Sequence, residues 1–263
     1  MRNTKIALIT AILAIFGFYG INTKASTVGL WLFDEGVGNI AYDSSANNND
    51  GTIYGATWSL NTPFSYPGNH ALSFDGVNDY IEIANSPSLD LTGAFTFEAW
   101  VKLESTGYRY IGDKYHTYGL KIQDGKLKPE GFVEVNNHIS VVDSWVSITL
   151  NTWVHLATTY DGNALRIYVN GELKGTNYYP NGHINSSTGD LFIGRYGGTD
   201  WIIRDNYSFD GLIDEVRISD EALSPEQLGY HKSLAVIPEP TSLTLFMIGL
   251  LGLLGSYRGR KSV

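Results

Sequence analysis

Trp153-Val154-His155-Leu156-Ala157-Thr158-Thr159-Tyr160 leads through Asp161-Gly162-Asn163 into Ala164-Leu165-Arg166-Ile167-Tyr168-Val169, then through Asn170-Gly171 into Glu172-Leu173-Lys174-Gly175. The long runs are rich in β-branched and aromatic residues, which suit a pleated surface. Asp-Gly and Asn-Gly supply the positive φ that tight hairpin turns demand. The stretch is therefore expected to be a three-stranded antiparallel meander. Period two puts Leu165, Ile167 and Val169 on one face and Arg166 and Tyr168 on the other. One apolar face needs a second layer over it, so the rest of the chain should supply another sheet.

The alternation recurs outward from this stretch. Phe95, Phe97, Ala99, Val101 and Leu103 fall on one face of a strand whose other face carries Thr96, Glu98, Trp100 and Lys102. Further strands are expected at Val28–Phe33, Ala71–Phe74, Tyr80–Ile83, Tyr118–Gln123, Phe132–Val135, Val146–Leu150, Asp190–Gly194 and Phe209–Ser219. Ser224-Pro225-Glu226-Gln227 has the cap, proline and capping-box residue of a short helix start. Eleven to thirteen strands at turn spacings of about 8–12 residues indicate a sandwich or barrel. No composition shift interrupts residues 26–235, so they read as one domain.

Composition narrows the function classes. The 263 residues include 29 glycines, 13% aromatic residues and no cysteine, and the net charge is −9. Twelve basic residues face twenty-six acidic ones between Ser26 and Ile237, a net of about −14. Such a surface disfavours nucleic acid and anionic membranes. It suits cations and neutral polymers.

The two ends have their own character. Residues 1–25 carry Arg2 and Lys5, then an uncharged run from Ile6 to Thr23, as an export signal does. An uncleaved anchor is the alternative. At the other end Pro238-Glu239-Pro240 precedes seventeen uncharged residues, Thr241–Tyr257, and then Arg258, Arg260 and Lys261. That run is at the short end for a spanning helix of ~20 residues. The basic cluster would stay cytoplasmic, with the domain on the far side of the inner membrane.

Pro238-Glu239-Pro240, the short apolar run and the terminal basic cluster together resemble the PEP-CTERM sorting signal of Gram-negative bacteria. That resemblance implies an exosortase as transient partner, anchoring through the C-terminal helix before processing, and a link to exopolysaccharide at the cell surface or in the matrix. A plain anchor is the alternative. Between the ends, Leu72-Ser73-Phe74-Asp75-Gly76, Phe95-Thr96-Phe97-Glu98-Ala99-Trp100-Val101, Trp153-Val154-His155-Leu156-Ala157, Tyr168-Val169-Asn170-Gly171 and Phe209-Asp210-Gly211-Leu212-Ile213-Asp214-Glu215-Val216-Arg217 follow in order. They resemble the laminin-G-like jelly roll of the concanavalin A-like lectin/glucanase superfamily. The resemblance implies an all-β, two-sheet antiparallel sandwich, commonly with one structural Ca²⁺. The fold hosts lectins, adhesion modules and enzymes alike.

Three constellations could carry chemistry. Asp43, Ser45, Asn47 and Asn49 offer oxygens at alternate positions of a polar loop, a spacing that lets a loop wrap Ca²⁺. Asp214, an acid in an apolar strand, needs a partner if buried. The resemblance brings the first and last strands together, so Asp43 and Asp214 could share the ion; a metal-free Asx turn is the alternative. Trp145, Tyr178, Tyr179, Tyr196 and Trp201 stand outside the apolar alternation, with Asn181, Asn185, Asp200 and Asn206 nearby in sequence. Sugar rings stack on such aromatics, although the rings could equally cap the sandwich ends. Glycosidases need two carboxylates across a cleft, and the superfamily's Glu-x-Asp-x-x-Glu and Glu-x-Asp-x-Glu patterns are missing. His155 reads as a packed structural residue. The expectation is an exported, non-catalytic, polysaccharide-binding or matrix domain. A glycoside hydrolase or lyase on the same fold and a ligand-free structural protein are the competing classes.

Overall fold

The computed structural model describes residues 26–179, 181–198 and 207–229. The expected N-terminal signal and C-terminal apolar helix, with Pro238, Glu239 and Pro240, lie outside them, as do Asp200, Trp201 and Asn206. Sixteen strands occur among the described residues: β1 (Thr27–Trp31), β2 (Ile40–Ala41), β3 (Gly51–Tyr54), β4 (Thr57–Ser59), β5 (Ala71–Asp75), β6 (Tyr80–Ile83), β7 (Phe95–Leu103), β8 (Arg109–Lys114), β9 (Tyr118–Gln123), β10 (Lys128–Val135), β11 (His138–Asp143), β12 (Val154–Tyr160), β13 (Ala164–Val169), β14 (Glu172–Tyr178), β15 (Leu191–Ile193) and β16 (Asp210–Ser219). They form two antiparallel sheets. The first runs β14-β13-β12-β7-β16-β5-β4 with β1 added beside β16, and the second runs β11-β10-β9-β8-β15-β6-β3-β2.

The meander forms as expected, as β12, β13 and β14. Its apolar face, with Leu165, Ile167 and Val169, joins Phe95, Phe97, Ala99, Val101 and Leu103 of β7 in the core. The second sheet meets them with Ile81, Ile83, Ile111, Leu120, Ile122, Val133 and Val135. Close approach is enforced at Gly112 of β8, where an added Cβ would enter the Phe97 ring.

β16 is the hub of the first sheet. Along one side it pairs with β7. Along the other, Asp210–Ile213 pair with β5 and Val216–Ser219 pair with β1. Glu215 makes the handover, with φ +48° and a bulge between Asp214 and Arg217. The outer face of this sheet carries a buried ionic cluster. Glu98 lies between Arg217 and His155, the latter at 3.1 Å, and the His155 ring rests 5.3 Å from that of Trp100. His155 is thus the packed residue its motif suggested.

Several expectations fail locally. Val146–Leu150 is irregular rather than a strand, and its neighbour His138–Asp143 is the strand instead. Pro225–Gln227 makes only one 3-10 turn, although its capping box is present. Trp100 and Trp153 are mostly buried, but on the outer face of the sheet rather than in the inter-sheet core; Phe64 packs on Trp100 there, and Asn61 accepts the Trp153 indole N–H at 3.1 Å. Phe97→Ala should therefore lower unfolding free energy by about 3–5 kcal/mol, whereas Trp153→Ala should cost about 1 kcal/mol. Urea denaturation of both variants checks the ranking.

Candidate functional site

The site begins at a turn with the wrong residues. β8 and β9 are joined by Tyr115-His116-Thr117, and Thr117 N–H closes the turn on the Lys114 carbonyl at 2.7 Å. Both turn residues are left-handed, with φ +39° and +64°. A turn with two successive left-handed residues favours Asn-Gly, because bulky residues are strained at positive φ. The neighbouring β10–β11 hairpin obeys the preference with Asn136-Asn137. Holding Tyr and His in these conformations costs on the order of 1–3 kcal/mol each.

The surroundings absorb that cost. Asp113, fully buried, accepts hydrogen bonds from the backbone N–H of His116 at 2.7 Å and of Gly197 at 2.9 Å. Burial still raises its carboxyl above the usual carboxylate range, against those two bonds and nearby cations. The His116 ring meets Tyr196 edge-on and is hydrogen-bonded to its hydroxyl.

Lys114 then fixes the opposite wall. Its ammonium is 1% exposed and donates to Asn85 Oδ1 at 2.6 Å, to the Ser187 carbonyl at 3.0 Å and to the Gly189 carbonyl at 2.5 Å, with Asp90 Oδ1 at 3.2 Å. Burial lowers its pKa, and Asp90 opposes that. The same segment is tied at its start by an Ile184–Val135 bridge and by Asn185 N–H donating to the Glu134 carbonyl. Between turn and wall lies an open cleft of about 550 Å³. Tyr115 and His116 line one side and Ser186, Ser187 and Thr188 another, while Glu134 and Ile139, cross-strand partners, come from the sheet.

An aromatic band continues from the cleft across the same sheet face. Tyr110, Phe132 and Tyr196 are buried together, with Tyr108, Val141 and Tyr207 against them. Lys121 lies over the Tyr108 ring and pairs with Glu130 at 3.4 Å. Tyr108 O–H donates to Glu130 Oε2 at 3.2 Å. Burial raises the Glu130 pKa, and Lys121 holds it back.

The aromatics chosen from sequence do not converge. Trp145 and Tyr178 are highly exposed, 79% and 74%, at the rim where β11 and β14 meet. Tyr179 sits by the β12–β13 turn, donating its N–H to the Asn163 carbonyl. Tyr196 alone among the described four comes near the cleft, buried behind His116. Asn185 helps to hold the wall, while Asn181 is exposed. Tyr115, His116, Glu134 and Ser186–Thr188 were missed. Their one sequence signal is a bulky pair where a tight turn wants small residues.

The calcium residues also divide. Asp43 Oδ1 accepts the N–H of Leu30 and of Ser45, while Oδ2 accepts the Ser45 hydroxyl and the Asn49 N–H, all at 2.7–2.9 Å. Ser45, Asn47 and Asn49 all donate to the Val28 carbonyl. Trp31 Nε1 donates to the Asn49 carbonyl beneath them. Asp214 lies elsewhere. Leu30 is paired with Arg217, and Asp214 falls beyond the bulge, opposite Trp100. Its electrostatic neighbours are Glu215 and Asp34. Asp43 and Asp214 thus have different immediate neighbours, and no group of three or more His, Cys, Asp or Glu among the described residues is placed to hold a metal. Asp43 serves as an anionic staple for loop donors.

Two measurements follow from this geometry. Asp43→Ala should destabilise the domain by about 3 kcal/mol, since several donors lose a charged acceptor. Chelator should leave the wild-type melting temperature unchanged; a chelator-induced fall reversed by Ca²⁺ would make the loop a metal site. Asp214 is fully buried, and its Oδ2 has no hydrogen-bond partner among the described residues. Burial, then Glu215 and Asp34, push its pKa up to about 9. The folded chain therefore keeps a proton that the unfolded chain releases near pH ~4. Stability from this group is complete below that pH and is lost as pH rises towards about 9. Asp214→Asn should flatten the decline, gaining most over wild type at the alkaline end in a pH series of thermal melts.

Residues 75–229 match the family model of the concanavalin A-like lectin/glucanases superfamily, and residues 236–261 match the PEP-CTERM protein-sorting motif. No curated protein sequence matches the chain. Among solved structures, domain 4 of AbnA, a GH43 extracellular arabinanase from Geobacillus stearothermophilus in complex with arabinotriose, is 21% identical with a TM-score of 0.59, over 77% of this chain and 96% of that one. The binding domain of Paraclostridial Mosquitocidal Protein 1 is 15% identical with a TM-score of 0.59, and the receptor binding domain of botulinum neurotoxin mosaic serotype C/D is 16% identical with a TM-score of 0.56. The alignments span 50% and 49% of those two chains. At such identities the likeness is one of fold. With more than half its length matched and its two sheets in place, the chain belongs to the concanavalin A-like lectin/glucanase superfamily and carries a PEP-CTERM sorting motif.

Proposed function

We propose that this is an exported, non-catalytic glycan-binding domain, delivered by exosortase processing to the cell surface or extracellular matrix, whose ligand occupies the Tyr115–His116 cleft. The strained turn carries this reading. A Tyr-His pair persists at two left-handed positions, and its rings border an open cleft. Local strain retained against propensity is a mark of functional sites. The cleft combines an exposed aromatic ring with hydroxyls and one carboxylate, the usual chemistry of a sugar site. The reading is supported by the arabinanase domain of similar fold, whose structure is in complex with arabinotriose. Binding rather than cleavage is favoured because Glu134 is the one carboxylate lining the cleft among the described residues, whereas glycosidic hydrolysis uses two.

Replacing Tyr115-His116 by Asn-Gly separates the two effects of the turn. The variant should be more stable than wild type by about 1–2 kcal/mol, from relieved strain. It should also lose binding in a glycan array scored by calorimetry. A stabilised variant that binds as well as wild type would move the site elsewhere. Turnover of any bound glycan would make the protein an enzyme.

A further inference from the structure

We infer that the cleft selects glycans bearing free amino groups, and that Glu134 is the specificity-determining residue. This rests on the glycan-binding reading above. Glu134 projects from β10 on the outer face, opposite Ile139, and is only partly exposed. Its carboxylate makes no hydrogen bond or ion pair with any described residue, although its backbone is held at both ends, the N–H by the Thr117 carbonyl and the carbonyl by the Asn185 N–H. The backbone is fixed and the charge is left available.

The other groups of the cleft do not neutralise it. No Lys or Arg is among the lining residues. The nearby cation, Lys114, is turned inward and is held by Asn85, Ser187, Gly189 and Asp90. His116 Nε2 is engaged by the Tyr196 hydroxyl. The Ser187 hydroxyl accepts the Gly189 N–H, which leaves the proton free to donate outward. What faces the ligand is thus one carboxylate, three hydroxyl side chains and the Tyr115 ring. A protonated sugar amine finds there a charge-assisted partner and an aromatic face that attracts cations. An acidic sugar would set its carboxylate against Glu134 in a partly desolvated cleft, on a chain of net charge −9.

The test is calorimetric titration of the full chain with three probes: a β-1,4-linked glucosamine hexamer, the same hexamer N-acetylated, and a galacturonate hexamer. Glucosamine should bind about tenfold or more tighter than its acetylated counterpart, the size of one charge-assisted hydrogen bond, and galacturonate should not bind. Glu134→Gln should bring the two glucosamine affinities together. Glu134→Asp, which keeps the charge, should retain part of the preference, so a folding defect cannot pass for a loss of charge. Equal or tighter binding of the acetylated hexamer by wild type, or a preference that survives Glu134→Gln, overturns the inference and leaves glycan binding standing. Binding of some other glycan with no affinity for the glucosamine hexamer does the same. Absence of binding to any glycan overturns both.

Discussion

The ladder between β7 and β16 is the constraint on which the sandwich depends. They are the two longest described strands, nine and ten residues, and together they carry Phe97, Val101, Ile213, Val216 and Ile218 into the core. β7 hands the sheet on to the meander, and β16 hands it on to β5 and β1. A slip of one residue in this pair would turn both apolar rows outward. The Glu215 bulge stands against such a slip, since it can be satisfied in only one register. Glu98 adds a second lock, because its charge meets Arg217 across that same ladder.

The second sheet uses its charge differently. Lys114 does for the cleft wall what a structural metal does in other loops: it gathers oxygens from two separate segments, residues 85–90 and 187–189, around one positive centre. A buried ammonium is costly unless its donors are satisfied, and here each has an oxygen partner. Asp113, one residue earlier, supports the strained turn from within. Two adjacent buried charges, one for each side of the cleft, let a short hairpin present side chains that its backbone disfavours.

How much of this was legible depends on the range of the interaction. Alternation at Phe95–Leu103 and Ala164–Val169, with Asp161-Gly162 and Asn170-Gly171 between strands, is local, and it gave the sheet faces correctly. β8 was hidden because Arg109–Lys114 mixes Arg, Gly, Asp and Lys, and its bulge at Tyr110–Gly112 breaks the period. β11 was hidden because an edge strand tolerates polar residues. The cleft was illegible because its parts lie between residues 115 and 188 and meet only through the sheet order. Asp214 was rightly seen as a buried acid, but its surroundings proved to be other acids rather than the 43–51 loop.

The position of β16 has a kinetic consequence. Thr27 near the start of the described chain pairs with Ser219 near its end, and the central place between β7 and β5 is filled by almost the last strand. Until residue 219 is available, the first sheet lies in three pieces, with β1 unpaired and β5 and β7 presenting open edges to one another. A chain delivered from one end through a narrow passage therefore remains unable to close its sandwich for most of the journey. Such long-range closure makes folding slow. It also keeps the chain threadable until the final strand arrives to zip the pieces together.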